Sequence, residues 1–270
     1  MAAVADGKKM SALDFSGVTE IPGGRATAEQ MSMMLTRYHL AAERSRDKNV
    51  LEVGCGAGTG LGYLARVARR VVGGDIEDAN LAHAREHYRD NAKVHLVRFD
   101  AQVSPFPPAS FDTILLYEVV YYLPDAAKFA AEARRVLRPG GTLLVSTVNR
   151  EWEGFNPSPH SVCYYSGKEL SELLRAAGFS VRLFVGFKAE SRSFLRRLTG
   201  ALRRVAVRWH LIPKTMKGKE LLKRLFCGRL TAIGHELEEG AGRFAPLVEP
   251  PDIGPIPGFK VLYAVATREA

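Results

Sequence analysis

Between residues 49 and about 183, short apolar runs alternate with stretches whose apolar residues recur every three or four positions. The runs NVLEV, RVVGGD, VHLVRF, FDTILLYEV and TLLVSTVN have the length and β-branched content of strands. Between them TGLGYLARVARR, DANLAHAREHYRD and DAAKFAAEARRVL carry helical spacing, the first with Leu61, Leu64, Ala65 and Ala68 on one face, the last ended by RPGG. Ser166-Gly167-Lys168-Glu169 forms a capping box that opens a further helix, which stops at Gly178 before the strand SVRLFV. Strands alternating with helices build βαβ units, so the pattern predicts an α/β fold with a doubly wound, mostly parallel sheet. A last strand, GFKVLYAVATR, follows only about 70 residues later, which implies an insertion before it.

Upstream, Thr27-x-x-Gln30 is placed to cap a helix running through Arg44. Met31, Met34, Leu35 and Tyr38 fall on one side of it, a stripe that reads as packing. In the helix of residues 78–90, HAREH matches an inverted zinc-protease pattern. Leu81 and Tyr88 claim the buried face, which leaves His83 and His87 on the solvated side with no third ligand in view; no metal site is expected.

The chemistry-bearing stretch is VLEVGCGAGTG, residues 50–60, where a strand ends in Gly54-x-Gly56-x-Gly58 and runs into a helix. Glycine without a Cβ brings backbone against a ligand, and a helix amino-terminus directs N–H groups at negative charge. A dinucleotide fingerprint needs glycines at G-x-G-x-x-G. From Gly54, Gly56 or Gly58 the third position falls on Thr59, Leu61 or Tyr63, so a nicotinamide-dependent oxidoreductase is the weaker alternative.

A G-x-G-x-G loop preceded by Glu52 and followed by Asp75 at the end of the second strand resembles the class I S-adenosylmethionine-dependent methyltransferases, small-molecule branch, similar to those of ubiquinone biosynthesis. VVGGDIE, VRFDAQ, PFPPASFDTILLYEVVYYL and RRVLRPGGTLLVSTVN agree in order, and the likeness runs from about residue 48 through 185. It implies a seven-stranded Rossmann-like sheet. The chain then divides into an amino-terminal cap (1–47), a cofactor-binding core (48–187 plus 259–270) and a basic helical insertion (188–258), the last a departure from the minimal family pattern. It also implies S-adenosyl-L-methionine as cofactor, with Glu52, Gly54, Cys55, Gly56 and Gly58 around the methionyl and ribose portion and Asp75 accepting the ribose hydroxyls. Ile76 would pack on adenine, Asp100 and Ala101 would meet its edge, and the Tyr117 backbone would face the methionyl amine.

Methyl transfer from a sulfonium is an in-line displacement, so alignment dominates, and a base matters when the acceptor is an alcohol. His160, in the loop REWEGFNPSPHSVCYYS, is the first candidate for that base and His39 the second, because histidine titrates near neutrality. Tyr121, Tyr122, Trp152, Tyr164 and Tyr165 could line an acceptor pocket or pack in the core. The segment after the fourth strand reads LYEV rather than the Asn/Asp-Pro-Pro-aromatic run of DNA amine methyltransferases, and the chain has no Pro-Cys dipeptide. The expected acceptor is therefore a small molecule, a hydroxyl of a glycan, polyketide or lipid-linked natural product, with no specific nucleic acid. A methyltransferase-fold partner subunit without its own transfer activity is the other alternative.

Composition changes this picture in one place. The 270 residues carry a net charge of +9, yet residues 188–229 hold 13 Lys and Arg against Glu190 and Glu220. Within them Phe194, Leu198, Leu202, Val205 and Trp209 form one helical face, with Arg196, Arg197, Arg203, Arg204 and Arg208 outside it. Such a helix is a lid over the substrate cleft, a site for a phosphorylated acceptor, or a contact for an anionic membrane surface, the last through residues 191–229. The three cysteines, Cys55, Cys163 and Cys227, are widely spaced, without a C-x-x-C pair, and are expected to be reduced. No signal peptide or membrane span is evident, so the expectation is a cytoplasmic protein, peripheral at the inner membrane face if the basic helix binds lipid.

Overall fold

The computed structural model describes residues 21–158, 160–189, 230–250 and 254–269. The basic helix expected at 194–209 and the membrane contact expected through 191–229 lie outside the described residues.

The elements run β1 (Arg25–Thr27), α1 (Ala28–Ser45), β2 (Asn49–Val53), α2 (Leu61–Ala65), β3 (Arg70–Asp75), α3 (Asp78–Tyr88), β4 (Val94–Arg98), β5 (Phe111–Tyr117), a 3-10 turn (Val120–Tyr122), α4 (Ala126–Val136), β6 (Leu137–Val148), α5 (Gly167–Ala176), β7 (Phe179–Lys188), β8 (Leu230–Ala232) and β9 (Phe259–Arg268). Seven strands form one sheet in the order β4-β3-β2-β5-β6-β9-β7, parallel except for β9, which runs antiparallel to both neighbours. The chain winds outward from β2 through β3 and β4 on one side and from β5 through β6 on the other. A crevice therefore opens at the carboxyl ends of β2 and β5, where the winding direction reverses.

Alternation along each strand divides the core in two. Leu51, Ile114, Leu116, Leu143 and Val145 face α4 and α5, where Phe129, Ala130, Leu170 and Leu174 cover them. Val50, Val71, Leu115 and Leu144 face the other way, against Met34, Leu35, Leu61, Leu64 and Leu81 of α1, α2 and α3. Leu115 and Leu144 are directly paired across β5 and β6, and both are wholly buried. Truncating either to Ala costs about 2–5 kcal/mol.

Both sequence-read capping boxes form. Thr27 Oγ1 accepts from the Gln30 N–H while the Gln30 side chain accepts from the Thr27 N–H, and Ser166 and Glu169 exchange the same pair of bonds. The Met31, Met34, Leu35 and Tyr38 stripe is buried, as the packing reading requires. Two boundaries differ from the pattern. The helix expected over TGLGYLARVARR stops at Ala65 because the following backbone turns into β3. There the Asp47 N–H donates to the Val67 carbonyl, and the N–H groups of Arg69 and Arg70 donate to the Lys48 carbonyl. RPGG does not follow the helix as a loop; it is an irregularity inside β6, where pairing with β5 jumps from Phe111↔Leu137 to Thr113↔Thr142 and Gly140 takes φ +74°.

The pattern gave no sign of the two-stranded ribbon of β1 and β8, which joins the start of the described chain to residues following the insertion. The chain after β8 then lies along α1, α2 and α3. Ile233 and Leu237 are buried in the α1–α3 core, and the Leu237 N–H donates to the Thr59 carbonyl at 2.8 Å. His83 and His87 do stand on the exposed side of α3. His87 is 3.1 Å from Glu236 Oε1, and its ring stacks on that of His235.

Candidate functional site

A cavity of about 790 Å³ opens at the carboxyl ends of β2, β3, β5 and β6, with α1, β1, β9 and the chain after β4 contributing to the remaining wall. That volume is large for a single small ligand, within the roughly 300–1,000 Å³ of ligand sites. Glu52, Gly54, Cys55, Gly56, Asp75, Ile76, Asp100, Ala101 and Tyr117 all line it. Gly58 is set behind the wall. A Cβ there would come within 2.9 Å of the Ala84 Cβ, and its carbonyl accepts from the Tyr88 hydroxyl at 2.9 Å.

The glycine loop is bare partly to admit side chains rather than ligand. A Cβ on Gly60 would fall 1.8 Å from Tyr38 Cζ, so this glycine is what lets Tyr38 cross from α1 to the end of β2. Gly54, at φ +72°, carries Val119 on its open side, where a Cβ would approach Val119 Cγ2 to 2.4 Å. Val119 thereby clamps the chain after β5 onto the loop.

Glu52 is 2% exposed, on the α1 side of β2. Its Oε1 accepts a 2.5 Å hydrogen bond from the Tyr38 hydroxyl, and its buried Oε2 has no hydrogen-bond partner. Burial pushes its carboxyl up to about 7, with the Tyr38 bond and the Arg37 charge opposing and Asp75 adding to the rise. Asp75, at the end of β3, accepts from the Gly56 N–H through Oδ2 and from the Glu77 N–H through Oδ1, each at 2.8 Å. Burial raises its carboxyl, and those backbone bonds hold the rise back. Burial together with Glu52 and Asp75 also lifts the Cys55 thiol well above its ordinary value, so Cys55 stays protonated and packs as a small apolar group. Asp100 is braced by Gln102, whose backbone N–H and side-chain amide donate to Oδ1 at 2.9 and 3.2 Å.

Neither histidine advanced as a base lines the cavity. His39 projects from α1 toward Glu43, at 3.6 Å, and packs on Phe244 at 4.7 Å between centroids. His160 follows a loop whose Ser158 N–H is held by the Tyr164 hydroxyl at 3.0 Å, and it too stays off the wall. Tyr121, Tyr122 and Trp152 line the cavity; Tyr164 instead stacks behind Tyr121 at 4.7 Å, and Tyr165 packs against the core.

Sequence reasoning passed over several lining residues. Arg37, 9% exposed, lies over the Tyr38 ring and exerts its charge on Glu52, Tyr117 and Tyr263. Glu118, just past β5, sits at φ +57°. Lys260 pairs with Glu29 at 2.5 Å above the Trp152 ring, and Tyr263, whose buried hydroxyl has no hydrogen-bond partner, lines the same cavity. Arg37 had a readable signal, a cation inside an apolar helical stripe. Among the described residues, no group of three or more His, Cys, Asp or Glu is arranged to hold a metal ion, and no helix is long and apolar enough to cross a membrane.

Comparison with known proteins follows the same geometry. Residues 51–145, which carry β2 through most of β6, match the methyltransferase-domain family. A probable S-adenosylmethionine-dependent methyltransferase of Mycolicibacterium smegmatis is 38% identical over 182 residues, 65% of this chain and 69% of its own length. A fatty-acid O-methyltransferase of the same organism is 38% identical over 125 residues, 43% of this chain, which spans just under half, 45%, of that relative. Among solved structures, the YcgJ protein of Bacillus subtilis superposes with a TM-score of 0.55 at 17% identity, over 87% of this chain and 98% of that one, which is agreement in fold. With the glycine loop, the ordered strand-end carboxylates and these relatives in agreement, the chain belongs to the S-adenosylmethionine-dependent methyltransferases, with a Rossmann-like fold and S-adenosyl-L-methionine as cofactor.

Proposed function

We propose that the protein transfers a methyl group from S-adenosylmethionine to an oxygen of a small-molecule or lipid-linked acceptor, a hydroxyl of a natural product. The observation that carries the cofactor side is the charge pattern of the cavity. The methionyl end of the cofactor is a zwitterion, and the wall offers it the Arg37 guanidinium for its carboxylate and Glu52 Oε2, buried and unsatisfied, for its ammonium. A buried polar atom without a partner costs about 1–3 kcal/mol, a cost that a bound cation removes. The Tyr117 backbone at the end of β5 assists with the ammonium. Asp75 accepts from the ribose hydroxyls, its carboxylate fixed in orientation by the N–H groups of Gly56 and Glu77. Ile76, Phe99 and Ala101 form the apolar slot for adenine, and Asp100 accepts from its exocyclic amine.

When bound, the cofactor supplies an electrophilic methyl on a sulfonium. The chain's own work is then to orient, since an in-line displacement gains most from alignment of acceptor oxygen, carbon and sulfur. Met33, Tyr122, Val148, Trp152 and Val261 supply an apolar wall for an acceptor, and Lys260 and Tyr263 supply polar points along it. The O-methyltransferase among the relatives supports oxygen as the methylated atom.

The test is incorporation of label from methyl-tritiated S-adenosylmethionine into the lipid and polar fractions of a cell extract, followed by mild alkali. Alkali-stable label agrees with a hydroxyl acceptor. Alkali-labile label identifies a carboxylate acceptor, and tight cofactor binding without transfer identifies a non-catalytic subunit.

A further inference from the structure

A hydroxyl acceptor leaves the cavity in need of a group to take its proton, and both histidines stand off the wall. The geometry points to Glu118 as that catalytic base, an inference that rests on the hydroxyl-transfer reading above. Glu118 is the first residue beyond β5, and its φ of +57° is a left-handed conformation that a residue with a Cβ adopts at a cost of order 1 kcal/mol or more. Such a conformation persists where its surroundings impose it. Here the Glu118 N–H is bonded to the Ser146 carbonyl at 2.9 Å, and the next residue, Val119, is seated on Gly54. The chain is thus pinned on both sides, and the bend turns Glu118 into the cavity wall instead of along the strand.

Its carboxylate is oriented by two hydroxyls. Tyr121 donates to Oε2 at 3.2 Å and Ser146 to Oε1 at 3.3 Å. Both are longer than a strong O–H···O bond, and together they help to aim the group. The hydroxyls around it are not competing bases. Ser146 does not titrate, and the Tyr121 and Tyr263 phenols are pushed above their ordinary values, chiefly by burial and next by Glu118 itself. Arg37, Lys260 and Glu52 line the same cavity from α1, β9 and β2. Ser146 is paired with Tyr117 on one side and Tyr263 on the other, which sets Glu118 between the glycine loop and the aromatic wall.

The step balances without a co-reactant. The acceptor O–H bond breaks with its proton passing to a Glu118 oxygen, and the acceptor oxygen forms the O–CH3 bond with its electron pair. The CH3–S bond breaks with its pair retained by sulfur, which leaves a neutral thioether, and Glu118 returns the proton to water.

The experiment uses the full chain saturated with S-adenosylhomocysteine and 4-nitrophenol as a hydroxyl probe, followed by its absorbance between pH 5 and 9. Beside Glu118 the bound phenol keeps its proton, so its titration lies about 1 pH unit higher with the wild type than with Glu118→Gln. Identical titration with both proteins overturns the proposal. In the labelled-methyl assay with cell extract, Glu118→Gln lowers kcat by about 100-fold or more while leaving S-adenosylmethionine affinity unchanged, and Glu118→Asp recovers part of the rate. Glu118→Gly, which relaxes the left-handed backbone, melts no lower than wild type yet stays inactive. Full activity in either Glu118→Gln or Glu118→Gly overturns the proposal, as does a loss of cofactor affinity in Glu118→Gln. Absence of any transfer by the wild type instead refutes the reading on which it rests.

Discussion

Replacing Glu52 by Gln removes a carboxyl that the fold holds 2% exposed, with one oxygen on Tyr38 and the other without a partner. Burial lifts this group from an ordinary 4.5 to about 7. At roughly 1.4 kcal/mol for each tenfold in proton affinity, its ionisation is about 3 kcal/mol less favourable in the folded chain than in the unfolded one. Below pH 4.5 both states are protonated and the folded chain bears no cost. As the pH rises toward 7 the unfolded chain releases the proton and the folded chain does not, so stability falls by about that amount and then levels off. Asp75 acts in the same direction but is present in both proteins, so it cancels in their difference. Urea denaturation of the ligand-free chain should give similar stabilities for wild type and Glu52→Gln at pH 5, with the variant ahead by about 2–3 kcal/mol at pH 8. Saturating S-adenosylmethionine should narrow that gap, because a bound ammonium favours ionised Glu52. An unchanged pH dependence in the variant would refute the argument that Glu52 is desolvated and unsatisfied.

Four other outcomes follow from particular contacts. Gly60→Ala places a Cβ 1.8 Å from Tyr38 and should destabilise by at least about 2 kcal/mol, with partial recovery in Gly60→Ala/Tyr38→Ala, measured as a double-mutant cycle in chemical denaturation. Ser166→Ala removes the cap of α5 and should cost about 1 kcal/mol in the same assay with cofactor affinity unaltered. Arg37→Met should weaken S-adenosylmethionine binding by about tenfold or more in calorimetry, as expected for loss of a charge-assisted bond. Trp152→Ala should raise KM for an extract acceptor while leaving the cofactor Kd unchanged.

The pattern of the chain foretold the sheet because strands buried on both faces read as apolar runs, as in Val50–Leu51 and Leu115–Leu116, whose neighbours face opposite cores. Nine of the ten residues expected around the cofactor line one cavity because they sit at strand ends or in the loop after them, where topology alone fixes position. What stayed hidden was tertiary. Nothing local distinguishes a glycine that admits a ligand from Gly60, which admits Tyr38. The ribbon of β1 and β8 is too short, at three residues a strand, to show alternation. The histidines were singled out by ordinary titration range, which carries no information about direction, whereas Glu118 gains its place from a positive φ that only the paired strands impose.

Isothermal titration of the protein and of Asp75→Ala with S-adenosylmethionine tests the central claim most directly. One cofactor per wild-type chain, displaced by S-adenosylhomocysteine and weakened by at least about tenfold in the variant, is the result that the Asp75 carboxylate at the mouth of β3 requires. Equal affinity in the two proteins, or no heat of binding with the wild type, would contradict it.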